Sequence, residues 1–182
     1  MDRKDFLKKI SISGVCACSG LALLTTKDVI ADDNKKQKED WRIGFSRTRY
    51  SQLMEILEPK VSIEKFNEII QMLGRYCSST VAFIQDYKGD LAGYLKELKR
   101  HWNEDSLVDI EKGIITIASQ ERTSCVCPLI ETEKVSDNVC NCSLGWQQQT
   151  FETVLGKKVE VQIKESIIRG GKRCVFEIKI VA

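Results

Sequence analysis

The fold is decided by the stretch CNCSLGWQQQTFETVLGKKVEVQIKESIIRGGKRCVFEI, residues 140 to 178, because the hydrophobic period changes within it. Residues 143–155 read as a helix, and Gly156 follows as its C-cap. Beyond that glycine, apolar and polar residues alternate over 159–164 and again over 174–180. Alternation with period two places the apolar residues of each strand on one buried face. The stretch therefore predicts a helix followed by an antiparallel pair of strands.

Three helices are predicted upstream of this stretch. The first runs from Trp41 to Glu58 and ends before Pro59, which does not readily continue a helix. The second follows Ser62, a typical N-cap, and the third covers residues 90–102 with Asp90 as its cap. Residues at three- and four-residue spacing give the second helix one apolar face, namely Ile63, Phe66, Ile70, Leu73 and Cys77. The three helices should supply one apolar layer.

Another hairpin is predicted between these helices and the opening stretch. Residues 108–110 and 114–117 flank Glu111-Lys112-Gly113, where the glycine supplies the positive backbone angle of a tight turn. The order is thus helices, hairpin, helix, hairpin. It predicts an α+β fold in which N-terminal helices pack on an antiparallel sheet made of two hairpins separated by a helix. We expect residues 41–182 to form this single domain.

The N-terminal 31 residues have the layout of a cleaved export signal, with a basic head, an apolar middle and small residues before Ala31. The head, residues 2–8, resembles a twin-arginine translocation signal, with Lys4 where the second arginine is usual; the general secretory route is the alternative. The resemblance implies export in the folded state, often with a metal or cofactor installed. We expect cleavage after Ala31, release to the periplasm or cell exterior, and a polar linker over 32–40. Membrane attachment is expected only through an uncleaved leader.

Charge gives no reason to expect nucleic acid as a partner. The chain has 28 basic and 26 acidic residues, and loss of residues 1–31 removes five basic and three acidic ones, so that the remaining body is neutral. Affinity for nucleic acid depends on excess Lys and Arg that neutralise phosphate. A neutral body of this length indicates one domain with a real core. The oligomeric state stays open, with a homodimer among the options.

Two Cys-x-Cys pairs in the loop 124–143 form the strongest candidate site. In an extended or turning loop, residues i and i+2 point to the same side, so each pair offers two sulfurs to one ion. Two such pairs complete a tetrahedral set, and soft thiolates favour zinc or iron. The predicted metal ligands are Cys125, Cys127, Cys140 and Cys142. In an exported protein, disulfides are the alternative use of these thiols.

The other candidate residues each have an ordinary interpretation beside the functional one. Cys77 and Cys174 lie on predicted apolar faces, where cysteine usually serves as a small buried hydrophobe. Together with Trp146 they are the predicted lining of a ligand cavity. If the protein is an enzyme, Cys142 is the candidate nucleophile, because a helix start lowers a thiol pKa. His101, the sole histidine, is expected to be solvated at a helix end.

The opening stretch also carries a pattern shared with known families. The shared residues are Cys142, Gly145-Trp146, Phe151-Glu152, Leu155-Gly156, Val159-Glu160-Val161, Ser166, Gly170-Gly171, Cys174 and Phe176-Glu177-Ile178. In this spacing the chain resembles the 4-vinyl reductase domain family. The resemblance implies an α+β fold related to trafficking-complex subunits, small apolar ligands, and cysteine-bound metal in some members.

Two further resemblances widen the functional options. Residues 167–176 are similar to the end of the L-2-amino-thiazoline-4-carboxylic acid hydrolase family, which implies a carbon–nitrogen hydrolase. The leader and paired Cys-x-Cys motifs together resemble an uncharacterised group of exported bacterial proteins. The sequence therefore predicts an exported domain that binds a metal or a small ligand at four cysteines. The alternatives are a cysteine hydrolase and a disulfide-stapled extracellular domain.

Overall fold

The two hairpins meet edge to edge in one sheet. The computed structural model describes residues 41–181, and the predicted leader and linker lie outside that range. The strands are β1 (Asp105–Asp109), β2 (Ile114–Ala118), β3 (Val159–Glu165) and β4 (Val175–Ile180). All neighbours are antiparallel and the order is β1-β2-β4-β3, so the hairpins join through β2 and β4. Helices on one antiparallel sheet confirm the predicted α+β fold.

Three helix ends follow the predicted capping residues. The helices are α1 (Trp41–Leu57), α2 (Ile63–Ser79), α3 (Ala82–Asp86), α4 (Leu91–Trp102) and α5 (Asn141–Leu155), with 3-10 turns at Glu58–Lys60, Thr132–Lys134 and Asp137–Cys140. The Ser62 hydroxyl accepts the Lys65 N–H at 3.3 Å, and the Asp90 carboxylate accepts the Gly93 N–H at 2.8 Å. Gly156 ends α5 at φ 64°. The short helix α3 was not predicted.

Helix α5 lies at the centre of the packing. It contacts β3 and β4 on one side and packs along α2 on the other, while α4 contacts β1. The core between helices and sheet contains Ile84, Tyr94, Leu98, Ile115, Ile117, Phe151, Val154, Val159, Phe176 and Ile178. A second apolar cluster, which includes Met54, Phe66 and Ile70, joins α1 and α2 to the cysteine loop. This second cluster borders the candidate site.

The buried face of α2 differs from the predicted one at its ends. Ile63 is 44 % exposed, because it stands in the first turn, away from the α5 contact. Gly74 and Ser78 are buried instead. The Ser78 and Thr150 hydroxyls hydrogen-bond across this contact at 2.7 Å. Small residues therefore allow the two helices to approach closely.

Within residues 41–181, no helix combines the length and apolar character needed to cross a bilayer.

Candidate functional site

A cavity of about 50 Å³ lies where the cysteine loop, the start of α5 and the β3–β4 connection meet. Its wall includes five of the six cysteines within the described residues, namely Cys125, Cys127, Cys140, Cys142 and Cys174. Most of the remaining wall is apolar, and Tyr50 of α1 contributes the one aromatic hydroxyl. The structure thus brings the four predicted metal ligands to one place and adds Cys174.

The 3-10 turn before α5 and the first turn of α5 position Cys140 and Cys142, respectively. Cys140 is buried and its Sγ lies 2.9 Å from the Ser166 Oγ. The carbonyl of Cys142 packs directly against Gly74 of α2, where any larger side chain would overlap it. Helix packing therefore fixes this half of the site.

The loop before α5 positions the other Cys-x-Cys pair. The Cys125 N–H donates to the Thr132 Oγ1 at 3.0 Å, which folds the loop back on itself. The Arg47 Nε donates to the Pro128 carbonyl at 2.9 Å and so ties α1 to the residue after Cys127. A few polar contacts rather than a regular element hold these two thiols.

Helix α1 covers the cysteine loop. The Glu58 carboxylate, just after α1, accepts hydrogen bonds from the Ser136 Oγ at 3.0 Å and the Asn138 Nδ2 at 2.7 Å. Met54 is buried in the second apolar cluster, and Tyr50 packs against that cluster and lines the cavity. Sequence reasoning missed Tyr50, because no local pattern connects α1 with a cysteine loop so distant in the chain.

The β3–β4 connection forms a further wall. The Cys174 N–H donates to the Ser119 Oγ at 3.0 Å, and the Ser119 N–H donates to the Cys174 carbonyl at 2.9 Å. The carbonyl of Ser166 accepts the Gly171 N–H at 2.8 Å, which closes the turn. The hydroxyl of Ser166 faces the cavity beside Cys140 and was also not predicted from the sequence.

The three predicted ligand-binding residues occupy different positions. Cys174 lines the cavity. Cys77, on α2, is outside the cavity wall but close enough to influence the titration of Cys127 and Cys142. Trp146 packs against the core between helices and sheet. Cys174 therefore lines the cavity together with the four predicted metal ligands, whereas Cys77 and Trp146 are not part of the cavity wall.

Burial keeps these thiols protonated. It raises the pKa of Cys142 to about 12, with the nearby thiols of Cys77, Cys127, Cys125 and Cys140 contributing further increases. Burial likewise raises the pKa of Cys125, Cys127, Cys140 and Cys174. An activated nucleophile at Cys142 would require a lowered pKa. Burial instead raises the pKa of this thiol, which is opposite to that expectation.

Positive charge surrounds the cavity and acts against burial. Arginines near the thiols lower their pKa, Arg47 at Cys127, Arg122 at Cys125 and Cys174, and Arg169 at Cys140. Burial is the larger effect at each cysteine. Burial also raises the pKa of Tyr50, and the surrounding thiols raise it further, so its hydroxyl remains a donor. The arginines therefore offset only part of the effect of burial, and the net pKa of each cavity thiol is raised.

The thiols form a wall rather than a closed coordination shell. Within residues 41–181, no three His, Cys, Asp or Glu side chains are already arranged to hold a metal ion. All six cysteines in that range are free thiols. The donor types suit a soft ion, but coordination would require side chains to turn towards a common point.

Comparisons with known proteins extend the description of the fold. Residues 103–182 match a family of unknown function, DUF6144. No curated protein matches the chain. Trafficking protein particle complex subunit 3 from Naegleria fowleri, solved covalently bound to palmitic acid, is similar with a TM-score of 0.50 and 13 % identity, over 77 % of this chain and 95 % of that one. At this identity the likeness shows the fold alone.

A second solved structure is also similar. A vinyl-4-reductase family protein from Methanocaldococcus jannaschii matches with a TM-score of 0.37 and 15 % identity, covering 77 % of this chain and 82 % of that chain.

Proposed function

We propose that this domain binds one soft metal ion, zinc or iron, through Cys125, Cys127, Cys140 and Cys142. The observation that carries the proposal is their position together on the wall of one small cavity. Two separate segments of the chain contribute them, so an ion there would join the cysteine loop to α5. Such a link would stabilise the fold when metal is bound.

The size of the cavity favours an ion over an organic ligand. Pockets that hold drug-sized molecules have roughly 300–1,000 Å³. The cavity has about 50 Å³, which leaves no room for an acyl chain. A small apolar ligand, the other predicted class, would need the walls to separate. The palmitic acid bound to the trafficking subunit would therefore not fit this cavity as it stands.

The donor set narrows the type of ion. The described wall has five sulfurs and neither histidine nor carboxylate. Thiolate-rich sets select zinc, iron centres or copper(I) over calcium and magnesium. Four thiolates around a divalent ion carry a net negative charge, and burying that charge is costly unless it is offset. Arg47, Arg122 and Arg169 lie near enough to offset part of it.

Proton loss would accompany binding. The thiols are protonated at neutral pH, because the ordinary pKa of cysteine already lies above 7 and burial raises it further. A bound ion supplies the positive charge that stabilises the thiolates in place of those protons. The four thiols would have to turn towards a common point to complete the set. The Tyr50 hydroxyl, which lines the same cavity, can donate a hydrogen bond to a thiolate.

The alternative functions use the same thiols differently. A cysteine hydrolase needs a reactive thiolate, and the raised pKa of Cys142 gives that function less support than metal binding. A disulfide-stapled domain would consume the cysteines in pairs. Export by a twin-arginine-like leader remains part of the proposal, since that route transports proteins with metal already bound.

Elemental analysis of anaerobically purified protein, combined with a count of reactive thiols, tests the proposal. We expect one ion per chain in the wild type, and little or none in the double variant Cys125→Ser and Cys142→Ser. Cys77→Ser is the matched control, because Cys77 is near the thiols but outside the wall. Circular dichroism checks that each variant folds. Full occupancy in the double variant would contradict the assignment, and recovery of thiols only after reduction would favour disulfides.

A further inference from the structure

Helix α1 carries apolar residues on the side that faces away from the domain. Its inner side holds Ser51 and Met54, both buried. At 3.6 residues per turn, the opposite side is occupied by a set that we call the outward stripe. The outward stripe consists of Trp41, Arg42, Phe45, Arg49, Gln52, Leu53 and Ile56. Its four apolar side chains are 74 %, 52 %, 55 % and 63 % exposed, in chain order.

The charged residues of the outward stripe are both arginines. The Arg49 guanidinium lies over the Phe45 ring, 5.0 Å from its centroid. Trp41 meets Phe45 edge to face, with ring centroids 6.3 Å apart. Glu55 projects to the side of the stripe rather than from within it. An exposed surface that combines aromatic rings with arginine is therefore continuous along α1.

We propose that the outward stripe docks on the surface of an anionic lipid bilayer, with α1 lying in the interface plane. Interfacial helices combine Trp, Phe and Leu side chains with basic residues that contact anionic headgroups. Arginine also keeps its charge at headgroup level while its stem lies along apolar surface. The inner side of α1 stays on the cysteine loop, so docking needs no rearrangement of the domain.

A second copy of the chain fits the outward stripe less well. From Trp41 to Ile56 the stripe is about 24 Å long and about 10 Å wide, or roughly 240 Å². Stable protein interfaces bury roughly 800 Å² on each partner. A two-fold contact centred on the stripe would also bring the Arg49 side chains of the two copies together. Area and charge both favour a negatively charged lipid surface.

Co-sedimentation of the full-length chain with lipid vesicles tests the proposal. The probes are phosphatidylcholine vesicles with and without about one third phosphatidylglycerol, at low salt. We expect preferential binding to the anionic vesicles. The double variant Trp41→Ala and Phe45→Ala should bind at least about tenfold more weakly, since each exposed ring would be buried in the interface. Arg42→Gln with Arg49→Gln should lose about 25-fold on anionic vesicles only.

The matched control is Ile110→Ala, which removes an apolar side chain that is 88 % exposed in the β1–β2 turn and far from the stripe in the chain. It should bind vesicles like the wild type. Equal binding by the wild type and both stripe variants would overturn the proposal, because the attachment would then come from another segment such as the leader. A vesicle-free dimer that the Trp41→Ala and Phe45→Ala variant abolishes would overturn it too. Metal content should be unchanged in all these variants, so this test is independent of the proposed metal site.

Discussion

Replacement of Gly145 by alanine should separate the two most closely packed helices. A Cβ at this position in α5 would stand 2.7 Å from the carbonyl carbon of Gln71 and 2.9 Å from its Cα, and would overlap its carbonyl oxygen. Real Cβ atoms essentially never lie within 3.0 Å of such atoms. The obstructing atoms are backbone and cannot rotate away. We therefore expect α2 and α5 to move apart over several residues.

The expected loss of stability follows from two opposing effects. Forcing a methyl group into a packed contact costs about 3 kcal/mol when backbone must move. Alanine gains up to about 1 kcal/mol over glycine in a helix interior. The net loss in the free energy of unfolding is then about 2 kcal/mol, or a fall in Tm of about 4–8 °C for a domain of this size. Strain on the 2.7 Å hydrogen bond between Ser78 and Thr150 would add to it.

Urea denaturation followed by circular dichroism measures this difference, and Gly44→Ala provides the matched control. Gly44 lies inside α1, and a Cβ there would meet nothing within 4 Å. That variant should be slightly more stable than the wild type, because only the gain in helix propensity remains. If Gly145→Ala were as stable as Gly44→Ala, the close approach of α2 and α5 would be wrong.

Two further predictions concern the buried polar groups of α2 and α5. For metal-free protein, the pKa of Cys142 rises from 9.0 unfolded to about 12 folded, so its contribution to stability is full below pH 9 and is lost towards pH 12. Through this group, the free energy of unfolding should fall by about 1.4 kcal/mol between pH 7.5 and pH 10. Urea denaturation at both pH values should show this fall in the wild type and not in Cys142→Ser. Thr150→Val leaves the buried Ser78 hydroxyl without its 2.7 Å partner and should cost about 1–2 kcal/mol in the same assay, whereas the Ser78→Ala and Thr150→Val pair should recover part of the loss.

Local signals made most of the elements predictable from the sequence. Ser62 and Asp90 cap helices through bonds within one turn, and Gly156 ends α5 with a positive φ. Alternation over 159–165 and 175–180 determines which face of each strand is buried. Each of these signals depends on residues a few positions apart. The short α3 has no such signal, because five residues are too few to show a periodic pattern.

Relations between distant elements could not be predicted in this way. The alternation of apolar and polar residues in β4 is the same whether β4 pairs with β2 or lies at the edge of the sheet. The strand order therefore could not be predicted from the sequence. The buried side of α1 was equally ambiguous, because both of its sides carry apolar residues. Met54 is buried, while Trp41 and Ile56, with similar hydrophobicity, are exposed. Hydrophobic pattern alone does not distinguish a core-facing stripe from one that faces another partner.

The grouping of the four cysteines was predictable because i and i+2 spacing brings each pair together locally. Their common cavity, however, depends on contacts that no spacing indicates. Cys174 reaches it from the start of β4, and Tyr50 from α1. Cys77 shares the apolar face of α2 but remains outside the wall, because the Cys142 backbone packs against the same helix. Which of the two isolated cysteines would reach the cavity was decided by helix packing.

The two halves of the site are held with different rigidity, and this difference bears on how an ion could be bound. Cys140 ends the 3-10 turn before α5 and Cys142 lies in the first turn of α5, where the Cys142 carbonyl packs against Gly74. Cys125 and Cys127 belong to a loop fixed by a few polar contacts with side chains. One rigid pair and one adaptable pair allow the loop to close on an ion without disturbing the helices. The same arrangement places the cost of ordering on the loop, so the affinity for metal should depend more on the loop than on the core.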